Sequence, residues 1–96
     1  MLTLMSLSNP KNPVGFSSYE VEGFLNALRR LPGIHNARLY ESINLGDNPA
    51  YRYVVMIEVE TPEQALSLVQ SEEFRKVERE WRDRVDSTNF ALQRIG

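Results

Sequence analysis

The side chains able to do chemistry are few in this sequence, and most of them sit in its middle. His35 is the only histidine, and an imidazole can give or take a proton near neutral pH. A second proton-transfer candidate is Tyr40. Arg38, Tyr40 and Arg52 together supply two fixed cations and a hydroxyl. Such donors suit a carboxylate, phenolate or enolate oxygen, because they stabilise negative charge as it develops. Each has a structural alternative. A histidine just after Pro32-Gly33, at the start of a strand, is often only a surface group. The arginines could pair with Glu58 across a subunit contact or reach out into water. With one histidine and no cysteine, no His pair or thiolate set exists to hold a metal. We therefore expect neither a metal nor a cofactor.

Other motifs are missing. There is no G-x-S-x-G elbow, no Gly-rich phosphate loop and no dinucleotide fingerprint, so a covalent nucleophile or a bound nucleotide is not expected. The 11 basic and 13 acidic residues are mixed along the chain and form no basic stripe, which argues against a nucleic-acid partner. The apolar opening Met1–Leu7 has no basic flank and is too short to span a bilayer. It reads as a strand, and the expectation is a cytoplasmic protein with no membrane partner.

The elements that must position these groups follow from period and punctuation. Residues 2–8 form a first strand, ended by the breakers of 9–15. Ser17 precedes Glu20 at capping-box spacing and opens a helix over 18–31, with Val21, Phe24, Leu25, Leu28 and Leu31 on one face. Pro32-Gly33 stops it. Strands follow at 34–43 and 51–60, joined through a turn at 44–49 as an antiparallel hairpin. Thr61, Pro62 and Gln64 cap a helical region over 62–85, which breaks near Ser71 because a serine N-cap restarts the apolar stripe there. Phe74, Val77 and Trp81 then form one face and read as core. Glu72/Lys76, Glu78/Arg82 and Glu80/Arg84 are i,i+4 pairs on the wetter side. A last strand covers 88–95.

The order β-α-β-β-α-β is the split-βαβ order of ferredoxin-like α+β folds. Right-handed crossovers would put both helices on one face of a four-stranded antiparallel sheet and leave the other bare. By alternation, Tyr53, Val55, Ile57 and Val59 belong under the helices, together with Phe90 and Leu92 of the last strand. The bare side would then carry Arg38, Tyr40, Arg52, Val54, Met56, Glu58, Asn89 and Gln93. All 96 residues fit one domain, whose core is thin at this length, since such chains bury only about two-thirds of their unfolded surface. A partly apolar bare face on a thin core favours contact with a second copy.

The stretch Leu31-Pro-Gly-Ile34-His-Asn-Ala-Arg38-Leu-Tyr40-Glu resembles the helix end and second strand of dimeric α/β-barrel proteins. Tyr51–Glu60, followed by Thr61-Pro-Glu-Gln-Ala65-Leu and Ser71-Glu-Glu-Phe74, resembles their third strand and broken helix. The likeness covers nearly the whole chain and is greatest to the EthD-like group and the REDY-like proteins of red tripyrrole pigment pathways. It implies a homodimer with its sheets face to face and a cavity for a small organic molecule. It also implies relatives among cofactor-free monooxygenases, polyketide cyclases and isomerases. The His-rich first strand and loop of some EthD-like members are missing here. Two function classes stay open: a small cofactor-free enzyme using His35 or Tyr40, and a non-catalytic dimeric binding or accessory module. In both, an aromatic or polyketide-like molecule is expected on the bare face, against Arg38, Arg52, Met56 and Asn89.

Overall fold

The computed structural model describes residues 1–46 and 48–96, so Asp47 of the expected turn lies outside the described residues. The elements run β1 (Leu2–Pro10), α1 (Ser18–Arg29), β2 (Asn36–Glu41), β3 (Tyr53–Val59), α2 (Pro62–Gln70), α3 (Glu72–Arg82) and β4 (Val85–Gln93). The strands form one antiparallel sheet in the order β2-β3-β1-β4. With α2 and α3 as the two halves of one broken helix, this is the ferredoxin-like arrangement.

Local chemistry accounts for most of the boundaries. The Thr61 hydroxyl accepts the Gln64 backbone N–H at 3.1 Å, while Gln64 Oε1 reaches back to accept the Glu60 N–H at 3.2 Å. Ser71 makes the break between α2 and α3. Its hydroxyl donates to the Leu68 carbonyl at 2.7 Å and accepts the Phe74 N–H at 3.2 Å, closing one helix and opening the next. The capping box expected at Ser17 is not made: Ser17 takes the extended N-cap conformation, but its side chain makes no capping bond. The Glu20 N–H bonds to the Ser17 carbonyl instead. Beyond α1 the chain turns at Gly33, whose φ of 86° lies in the left-handed region that glycine tolerates best.

The sharpest departure from expectation is the start of β4, which comes at Val85 and not at 88. Asp83 caps α3, and Val85 pairs with Pro10 at the far end of β1. Val85 is buried with Val21, Tyr53 and Trp81. Burying that valine draws the chain back onto the sheet before the polar Asp86-Ser87 pair can end the helix.

The core lies between the sheet and the helices. Val55, Ile57 and Val59 pack with Leu28, Ala65 and Leu68. A second, aromatic cluster joins Tyr53 and Trp81 to Phe16 and Phe24, and the Phe24 and Trp81 rings stack with centroids 4.3 Å apart. The molecule measures 37 × 33 × 17 Å. Its shortest dimension holds one sheet and one layer of helices, roughly 10 Å across each helix, so the second sheet face is uncovered. No helix among the described residues is long and apolar enough to cross a membrane.

Candidate ligand site

Opposed residues of neighbouring antiparallel strands point to the same face. One rung crosses the whole sheet, from Arg38 through Met56 and Met5 to Phe90. The next runs Tyr40, Val54, Leu7 and Thr88, and the third Asn36, Glu58, Thr3 and Leu92. Arg38, Tyr40 and Met56 thus share the open face, as alternation predicts. Strand β4 does not follow the prediction. Phe90 and Leu92 lie on the open face, 45% and 42% exposed, and Asn89 lies on the helix side. The physical reason is that β4 is an edge strand which the helices do not reach across. After Val85 nearly every residue of it is exposed on both faces, so burial does not choose its phase; pairing with β1 does.

Two further candidates leave the expected cluster. Arg52 stands one residue before β3, and its guanidinium lies 5.0 Å from the centroid of the Tyr53 ring, which belongs to the covered face. It forms a cation–π contact there. His35 is exposed just ahead of β2, with its backbone N–H donating to the Glu58 carbonyl. His35 and Tyr40 stand five residues apart along an extended chain, roughly 16 Å.

The better-formed cleft lies on the other side of the sheet, between the β1–β4 edge and the helices. Its apolar walls come from Leu4 of β1, Phe24 and Leu28 of α1, and Phe74 and Trp81 of α3. Ser6, Ser87 and Asn89 add neutral polar groups from β1 and β4, and Glu78 of α3 adds a charge. The cavity volume is about 110 Å³. Of the residues expected to bind a ligand, only Asn89 lines it, and it does so from the face opposite to the one predicted. A larger hollow between α1 and α3, near Tyr19, Glu80 and Arg84, is more open to solvent. Enclosure and apolar walls are what small-molecule sites need, so the smaller cleft is the candidate.

One contribution to this cleft comes from the side chains of β1. The covered row of β1 reads Leu2, Leu4, Ser6, Ser8, and Ser8 is completely buried. Ser6, where a core strand ordinarily carries Val or Ile, lines the cleft and leaves space under the helices.

Charge is sparse around the cleft. Glu78 is paired with Arg82 at 2.6 Å, and Arg82 itself stays mostly in water. Arg84 bonds across to Glu20 at 3.7 Å. Deeper in the aromatic cluster, burial pushes the Tyr53 phenol above its ordinary pKa of 10.0; the nearby Arg52 opposes that rise and Glu41 adds to it. The Tyr53 hydroxyl and the Trp81 indole nitrogen are both buried without a hydrogen-bond partner.

These features define a ferredoxin-like α+β protein with an open, partly apolar sheet face and an apolar cleft between sheet and helices. Over residues 1–95 the chain matches the family described as REDY-like protein HapK, and it belongs to that family. Among solved structures, HapK from Hahella chejuensis matches with a TM-score of 0.74 at 14% identity, covering 100% of this chain and 94% of that one. The Arabidopsis thaliana protein At3g17210 matches with a TM-score of 0.85 at 9% identity, covering 100% and 97%. An EthD-family protein of Bacillus halodurans gives 0.81 at 11%, covering 99% of each. The same fold occurs in SnoaB, a cofactor-independent oxygenase of Streptomyces nogalater, and in a ferredoxin-like protein of Bacteroides fragilis described as dimeric. At these identities the likeness speaks to the fold alone. No curated sequence matches the chain.

Proposed function

We propose that this protein is a cytoplasmic homodimer that binds an aromatic or polyketide-like small molecule, one in each subunit, in the cleft between sheet and helices. The observation that carries this reading is the cleft itself, a space walled by Phe24, Phe74 and Trp81 and edged by the neutral polar groups Ser6, Ser87 and Asn89. A flat apolar molecule with a few polar atoms matches such walls. The open face serves the second copy. Its exposed apolar groups need cover, and in a two-fold contact the Arg38 and Glu58 of facing sheets can pair with each other. Arg38, Tyr40 and Met56 are therefore assigned to the interface and Asn89 to the ligand.

The lining favours a binding or accessory role over acid–base catalysis, because Glu78 is its only ionisable side chain among the described residues and neither His35 nor Tyr40 lines it. A cofactor-independent reaction, the class named for the oxygenase that shares the fold, would use the same cleft. The test is to fill it. Ser87→Trp, at a half-buried position on the cleft wall, should leave the fold intact and abolish uptake of 1-naphthol, followed by the fluorescence of added naphthol. Arg38→Met on the open face should leave uptake unchanged. Loss with Arg38→Met and retention with Ser87→Trp would return the ligand to the open face.

A further inference from the structure

The cleft has a charge character as well as a shape. Among the described residues no arginine, lysine or histidine lines it, its polar groups on β1 and β4 are neutral, and its one charged group is the Glu78 carboxylate. An anion entering such a space sheds water and finds no cation to replace it, which is costly in an apolar setting. Arg82 does not supply one, since it is held by Glu78 and stays in solvent. The volume of about 110 Å³ sets the size: engineered apolar cavities of roughly 150 Å³ take up benzene. The cleft is smaller than that, so at most one ring enters it and the rest of a larger molecule must lie outside. Beyond the cleft the helix-side row of β4 continues through Ala91 and Gln93, both exposed, and it offers the path outward.

Resting on the cleft as the binding site, we propose that it selects a single uncharged aromatic ring and rejects carboxylates, with the ring's polar edge against Ser87 and Asn89. The Asn89 amide both donates and accepts, so it suits an uncharged group that does the same. This selectivity is the reverse of what the sequence's arginines suggest, and it follows from their lying elsewhere in the fold.

Benzamide and benzoate test it, because they share shape and differ in charge. Each is titrated into the intact protein while backbone amide resonances of β4 and the lone indole N–H resonance of Trp81 are followed by NMR. Benzamide should shift the cleft residues, and benzoate should bind at least about tenfold more weakly, equivalent to about 1.4 kcal/mol. Glu78→Gln removes the carboxylate and leaves Arg82 unpaired near the mouth, so benzoate should gain affinity while benzamide changes little. Asn89→Ala, at an exposed position, should weaken benzamide several-fold. Equal binding of the two probes by the unaltered protein, or full benzamide affinity in Asn89→Ala, would overturn the selectivity while leaving the cleft as a binding site. Failure of both probes to move any cleft resonance would remove the site itself, and the selectivity with it.

Discussion

The two faces of this sheet are built from similar residues and end in different states. On the covered face Val55, Ile57 and Val59 are at most 6% exposed, packed under α1 and α2. On the open face Val54 and Met56, from the same strand, are only half-buried, and Tyr40, Phe90 and Leu92 are more than 40% exposed. Strand alternation sorts side chains onto two faces but does not say which face gets a cover. The helices cover one. The other is left uncovered, and under the proposed function its arginine and tyrosine, chemically the more suggestive groups, are contact residues and not a ligand site.

The largest effect should come from testing the covered face directly. Val59 is completely buried, so Val59→Asp places an unpaired charge in the core and should cost about 3–5 kcal/mol. Urea unfolding should find little or no folded protein. Retention of most of the stability would mean that this face is not the core.

A carboxylate three residues earlier, on the other face, should act differently. Met56→Glu faces solvent in one subunit and, in the proposed dimer, a like charge across the two-fold contact. Dimerisation should weaken by several kcal/mol, of the order found for an uncompensated charge at an interface. Far-UV circular dichroism should be nearly unchanged. Light scattering after size exclusion should report a monomer for the variant and a dimer for the parent. A parent that is monomeric at micromolar concentration ends the interface assignment.

The smallest effect should be at Tyr53, where the covered face buries a hydroxyl that has no partner. Tyr53→Phe removes an unsatisfied group and should be neutral or stabilising by up to about 1 kcal/mol. The sign of the pH effect is fixed by the raised phenol. The folded state keeps its proton longer than the unfolded chain, so Tyr53 stabilises fully below pH 10.0, its ordinary value. That contribution is lost as pH climbs from there through the raised value. Thermal denaturation above pH 10 should therefore fall less steeply for Tyr53→Phe. A marked loss of stability at neutral pH would point to a hydrogen bond that the tyrosine makes.

Strand β3 and the Ser71 break were legible because each is fixed by local or short-period information. Alternating Tyr53, Val55, Ile57 and Val59 admit one phase, and a serine three residues before Phe74 can cap only one helix start. The same reading, together with the family resemblance, was enough for the ferredoxin-like order and for the open-face positions of Arg38, Tyr40 and Met56. Strand β4 was not legible. Phe90 and Leu92 looked like core residues, but an edge strand without helical cover has no burial signal, and its phase was decided by hydrogen bonding to β1. Arg52 turned to the Tyr53 ring through a contact that no alternation rule contains. The cleft depended on tertiary structure most of all. It exists because the small Ser6 of β1, the reach of α3 and the early return of the chain at Val85 leave a gap between layers, and a gap is a property of packing that no single segment encodes.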